Sequence, residues 1–157
     1  MISQSLHRHL LLSFRMLMDV IDTCPDALWL AGREKDSIWK RVFHVLESLD
    51  FWFDDFSGYI FPGFFSGFSA EMDAENTSQL TKKQIHAYTG LLHKKIDAFF
   101  AIMNERKLTE NSKSHPNVTY ADIVLSQIRH IQINVGYCNE QFIAQGFKGV
   151  NWVGYNE

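Results

Sequence analysis

Five polar side chains near the end of the chain are spaced three and four residues apart, and one of them is a histidine. They are Gln127, His130, Asn134, Tyr137 and Gln141. This spacing places them on one side of an α-helix. Beside them runs an apolar set that marks the face expected to be buried: Val124, Ile128, Ile131, Val135 and Phe142. The pattern predicts a helix with a polar stripe along the edge of its buried face.

The polar stripe has three interpretations, because a polar group inside a protein costs free energy unless it is hydrogen-bonded. It could meet water at the edge of the core, form a buried hydrogen-bonded network, or line a cavity that holds a ligand or a metal ion. A second histidine, His44, lies off the main apolar stripe of another predicted helix. That helix is apolar around much of its circumference, so its buried face could include His44. Imidazole is the commonest protein ligand for metals, so a meeting of His44 with His130 would favour the third interpretation.

Four long helical patterns position these residues, and no convincing set of strands appears. The helices are predicted at about residues 5–23, 37–55, 81–103 and 119–146. Ser5 is the expected N-cap of the first helix. The third begins with a capping box, Thr81-Lys-Lys-Gln84, and the fourth opens with a looser pair of the same kind, Thr119 and Asp122.

The connection between the second and third predicted helices, residues 57–79, is long and rich in glycine, serine and phenylalanine. Aromatic side chains bury large areas, so we expect it to fold over one end of the helices. It could pack there without a ligand or act as a lid over a site. The sequence therefore predicts one all-α domain over residues 1–157, a four-helix bundle with a long aromatic connection between helices 2 and 3.

Composition restricts the classes of function. The chain has 157 residues, 46% of them hydrophobic, and a net charge of −3, which is typical of a globular protein and argues against a nucleic-acid partner. Cys24 and Cys138 form no CxxC pattern, so we expect two reduced thiols in a cytoplasmic protein. Charged residues interrupt the apolar N-terminal segment, which therefore predicts a helix rather than a signal peptide or a membrane span.

Two segments of the sequence together resemble the DinB/YfiT-like superfamily. They are SIWKRVFHVLESLDFWF, residues 37–53, and SQIRHIQINVGYCNEQF, residues 126–142. The resemblance covers nearly the whole chain, including the helix order, the long second connection and the late Trp152. It implies a four-helix bundle, often a homodimer, with a site for a divalent metal ion such as zinc or nickel.

The resemblance also implies the ligands of that ion, which are three histidines: one on helix 2 and two, four residues apart, on helix 4. His44 and His130 match the first two, but the third position is Asn134. Gln127, Tyr137 and Gln141 would then line the pocket. The neutral amide oxygen of asparagine is a weak ligand compared with imidazole.

Three outcomes stay open for this altered site. His44, His130 and Asn134 could hold a metal ion weakly, a nearby group such as Glu47 could replace the missing ligand, or the metal could be lost. Characterised members of the superfamily include metal-dependent thiol transferases, so the first hypothesis is an enzyme that activates a thiol. The alternative is a non-catalytic bundle that has lost the metal and binds a small apolar or aromatic ligand.

Replacing Asn134 with histidine should increase the metal content of the protein, because imidazole binds zinc and nickel more strongly than an amide oxygen does. Mass spectrometry of tag-free Asn134→His protein, purified without chelators beside the native chain, measures this. If both proteins are free of metal, the placement of His44 opposite His130 is wrong.

Overall fold

The computed structural model describes residues 1–31, 37–54, 59 and 61–154, apart from the side chain of Phe64. Helices dominate these residues, and the only β-type pairing among them is an isolated bridge between Asn111 and Thr119. The helices are α1 (Ile2–Thr23), α2 (Asp26–Trp29), α3 (Ile38–Trp52), α4 (Lys82–Ala101), α5 (Glu105–Leu108) and α6 (Tyr120–Ala144), with a 3-10 turn at Gly63–Phe65. The predicted all-α class is confirmed.

The four long helices α1, α3, α4 and α6 surround one apolar core. Helix α1 packs against α4 and α6, and α3 packs against the same two helices. Each long helix contributes side chains that are almost completely buried, among them Leu17, Phe43, Tyr88 and Ile131. None of the helices that the structure describes is both long and apolar enough to cross a membrane.

Local capping sets the first residue of two of these helices. The Thr81 hydroxyl accepts a hydrogen bond from the Gln84 backbone N–H, and the Gln84 side chain accepts one from the Thr81 backbone N–H at 3.0 Å. Thr119 and Asp122 make the same reciprocal pair at the start of α6. Both predicted capping boxes are confirmed.

Helix α1 begins earlier than the sequence predicts, because its cap comes from a distant residue. The expected cap, Ser5, lies inside the helix, which starts at Ile2. The backbone N–H groups of Ile2 and Ser3 donate instead to the carboxylate of Glu105, at 3.1 and 3.3 Å. An acidic side chain at a helix N-terminus satisfies free N–H groups and complements the helix dipole.

The described part of the aromatic connection packs against α3. The fully buried ring of Phe43 contacts the rings of Phe61, Phe65 and Phe68. The ammonium group of Lys40, also fully buried, donates to the backbone carbonyls of Ser69 and Ala74, at 2.7 and 3.0 Å. These contacts fix residues 69–74 beside α3, whereas residues 57, 58 and 60 of the predicted connection lie outside the described residues.

Replacing Lys40 with methionine should lower the free energy of unfolding by about 2 kcal/mol, because it leaves two partly buried carbonyls without their charged donor. Urea denaturation measures the change. The matched control is Lys83→Met at an exposed position of α4, which should stay within about 0.5 kcal/mol of the native protein. Equal effects of the two substitutions would contradict a structural role for the buried ammonium group.

Candidate functional site

Polar side chains of α3 and α6 meet in three successive layers between the two helices. In the first layer, Arg41 Nη1 donates to Asn134 Oδ1 at 3.1 Å. In the middle layer, the Nε2 atoms of His44 and His130 are 3.2 Å apart. In the third layer, Ser48 Oγ donates to Gln127 Oε1 at 3.2 Å. The residue numbers rise along α3 as they fall along α6, so the helices run antiparallel here. The structure thus brings His44 to His130, with Gln127 and Asn134 in the flanking layers.

The two histidine rings are nearly perpendicular, with planes at 88° and centroids 5.0 Å apart. His44 Nδ1 lies 3.1 Å from the carbonyl oxygen of Ala70, in the segment that Lys40 anchors. A carbonyl only accepts, so this contact assigns a proton to Nδ1 of His44 and leaves the lone pair on its Nε2. His130 Nε2 then donates its proton to that lone pair.

Burial, above all, lowers the pKa of His130, and the neighbouring His44 lowers it further. Both causes act against a positive charge on His130. His130 therefore stays neutral to a lower pH than an exposed histidine. Neutral imidazole is the form that binds a metal ion.

The separation of the two Nε2 atoms suits a shared metal ion as well as a hydrogen bond. Two imidazole nitrogens bound to a tetrahedral zinc ion lie about 3.3–3.4 Å apart, given Zn–N bonds of about 2.0–2.1 Å. The observed 3.2 Å is close to that value. Within the described ranges, no group of three or more His, Cys, Asp or Glu side chains is arranged to hold a metal. Among these residue types in that part of the chain, the pair would supply two ligands, and any further ligand would be of another kind, such as the Asn134 amide, water or substrate.

Asn134 is buried, and both ends of its amide are engaged. Its Nδ2 donates to the backbone carbonyl of His130 at 2.8 Å, and its Oδ1 accepts from the Arg41 guanidinium. A metal ion bound by the same oxygen would lie near a full positive charge. The assignment of Asn134 as a weak third ligand stays a prediction.

Arg41 is the residue of this site that the sequence analysis missed. Its guanidinium carbon lies 3.5 Å from the centroid of the Tyr137 ring, and its Nε is buried without a hydrogen-bond partner among the residues that the structure describes. The ring of Tyr137 therefore packs against the guanidinium of Arg41 and takes no part in the hydrogen bond between His44 and His130. The available signal was spacing, since Arg41 precedes His44 by three residues and must share its side of the helix.

The remaining predicted residues lie in different surroundings. Gln127 is buried against Ser48. Gln141 lines a separate cavity of about 410 Å³ with Leu28, Ile38 and Phe147, and the lining of that cavity does not include His44 or His130. The polar stripe therefore lines two different regions: His130 lies at the interface with α3, and Gln141 lines the separate cavity.

Glu47, considered as a replacement ligand, is half-buried one turn after His44. Burial is the main cause that raises the pKa of Glu47, and it outweighs the lowering effects of the Tyr59 hydroxyl and of His44. The charges of Glu71 and Asp50 raise this pKa further. A carboxyl group that holds its proton more tightly is a poorer ligand for a metal ion.

The chain's own thiols are unreactive. Burial raises the pKa of Cys24 to about 11 and that of Cys138 to about 12. Neither forms an appreciable fraction of thiolate at neutral pH, so neither is a good nucleophile. A thiol that reacts in the pocket would have to come from a substrate.

Comparison with protein-family models, with curated proteins and with solved structures found no match. The resemblance to the DinB/YfiT-like superfamily therefore stays a prediction that rests on the sequence motifs.

The lowered pKa of His130 should appear in the pH dependence of stability. The unfolded chain binds a proton at this residue near its ordinary pKa of 6.5, whereas the folded protein binds it only at lower pH. The folded state is thus favoured fully above that value, and this contribution is lost as the pH falls from 6.5 through the folded pKa. Between about pH 7.5 and pH 5, the native protein should therefore lose more free energy of unfolding than His130→Gln. Parallel urea-denaturation profiles of the two proteins would contradict the assignment.

Proposed function

We propose that the chain is a DinB-like four-helix bundle, built from α1, α3, α4 and α6 as a single domain with the aromatic connection at one end. In it, His44 and His130 bind a divalent metal ion such as zinc or nickel, and the protein uses this ion to activate the thiol of a small substrate for transfer to an electrophile. The observation that supports this proposal is the 3.2 Å separation of the two Nε2 atoms, with Nδ1 of His44 fixed by the Ala70 carbonyl.

The chain's own residues prepare the His44 imidazole for this role, whereas His130 would bind an ion through Nε2 only with its proton on Nδ1. Hydrogen bonding of Nδ1 to a backbone carbonyl fixes the ring of a histidine and exposes its Nε2, which is the usual arrangement around metal-binding histidines. Burial keeps His130 neutral. A bound divalent ion would lower the pKa of a thiol that binds to it. With only two protein ligands, the remaining positions are open to that thiol.

A second function is favoured by the contact between Arg41 and Asn134. The guanidinium engages the amide oxygen at the position that would supply the third ligand, and its charge opposes a nearby cation. The same pocket without metal would be a polar, hydrogen-bonded site for a small molecule. This alternative makes the protein a non-catalytic binding protein.

Metal titration tests the first function. Isothermal titration of tag-free protein with zinc or nickel should give one ion per chain, and His44→Ala or His130→Ala should each weaken the affinity at least about tenfold, because each removes one of two protein ligands. The matched control is His93→Ala on the exposed side of α4, which should bind as the native protein does. Equal affinities of all four proteins would show that the ion binds elsewhere.

Transfer activity then separates the two functions. Metal-loaded native protein should accelerate the reaction of a thiol with an electrophile, whereas metal-free protein and His130→Ala should not. A native protein that binds no metal, but is stabilised in a thermal-shift screen by a small organic ligand, would replace the first function with the alternative.

A further inference from the structure

The guanidinium of Arg41 is a half-buried positive charge without an acidic partner in the part of the chain that the structure describes. The ion pairs found there use other cations, such as Lys95 with Asp50 and Lys82 with Asp26. The partners of Arg41 are a neutral amide and an aromatic ring. A partly desolvated charge of this kind is stabilised by an anion.

The surroundings of Arg41 hold it in place and leave donors free. The ring of Tyr137 covers one face of the planar guanidinium, and Asn134 accepts from one of its five N–H bonds. The other N–H bonds have no acceptor among the described residues, and the Nε–H is the buried one of them. Two parallel N–H bonds on one edge of a guanidinium match the two oxygens of a carboxylate. The group is therefore already positioned to bind an anion, which lowers the entropic cost of binding.

Arg41 also lies about one helical turn from the histidine pair. It precedes His44 by three residues, which corresponds to a rise of about 4.5 Å along the same side of α3. Its partner Asn134 follows His130 by four residues on α6. The layer of Arg41 and the histidine layer are therefore neighbours, so one small ligand can contact both.

We propose that Arg41 is the anion-binding residue of this pocket and that the ligand of the protein is a small carboxylate. The carboxylate binds the edge of the guanidinium, and the remainder of the ligand extends towards His44 and His130. This inference rests on the proposed function for the location of the site but not for the presence of a metal ion. If the protein transfers a thiol, the inference specifies a thiol that also carries a carboxylate.

The test compares two ligands of nearly equal shape that differ in charge, propionate and propionamide. Each is titrated into metal-free, full-length protein at constant ionic strength. The ring signals of His44 and His130 and the Nε–H signal of Arg41 are followed by nuclear magnetic resonance. Propionate should give saturable shifts of these signals and bind at least about tenfold more tightly than propionamide, because hydrogen bonds between two charged groups are the strong ones.

Two variants with the same loss of charge complete the test. Arg41→Gln should remove the preference for propionate, whereas Arg129→Gln, at an exposed position of α6, should keep it. Equal binding of propionate and propionamide by the native protein, or an unchanged preference in Arg41→Gln, would overturn the inference. If Arg41→Gln does not fold, the two ligands on the native protein, followed at the Arg41 Nε–H signal, decide the question.

This outcome is independent of the metal titration. If the protein binds zinc but shows no preference for propionate, the proposed metal site stands and the anion-binding role of Arg41 is wrong. If the protein prefers propionate but binds no metal, Arg41 is the anion-binding residue and the proposed metal site is wrong.

Discussion

Three pairs of polar side chains across the interface of α3 and α6 constrain how these helices can pack. Arg41 meets Asn134, His44 meets His130, and Ser48 meets Gln127. A buried polar group that loses its partner costs about 1–3 kcal/mol, so a rotation or slide of one helix past the other would separate all three pairs at once. The apolar core favours contact between the helices, but it tolerates many arrangements. The three polar pairs, by contrast, favour a single arrangement of α3 against α6.

The same arrangement sets the electrostatics of the pocket. Burial lowers the pKa of His130 at its centre, and one of the two neighbouring layers carries the charge of Arg41. These properties bear on the choice between the two functions, because neutral imidazoles favour a cation whereas a guanidinium disfavours one. A negatively charged ligand would remove this conflict between the imidazoles and the guanidinium. It would neutralise the charge of Arg41 and leave the imidazoles free to bind a metal ion.

What could be predicted from the sequence was local. The capping boxes at Thr81 and Thr119 depend on residues three apart, and the stripe through His130 depends on helical periodicity alone. The start of α1 escaped prediction because its cap, Glu105, is more than a hundred residues away. Arg41 escaped because arginine on a helix is usually exposed, and its spacing of three residues from His44 does not by itself show that the guanidinium is buried. The carbonyl that orients His44 could not be foreseen either, since every residue carries one.

The capping box of α6 has a consequence for how the chain can change its length. Thr119 fixes the first residue of the helix, and His130 follows three turns later, with no irregularity between them. Each residue advances an α-helix by about 100°, so inserting a single residue between these two positions would turn His130 and everything after it away from α3. The exposed residues 77–79 before Thr81 carry no such angular restriction, unlike residues 69–74, which contact α3. Insertions and deletions should therefore be tolerated at residues 77–79, whereas the stretch from the cap to the histidine has an effectively fixed length.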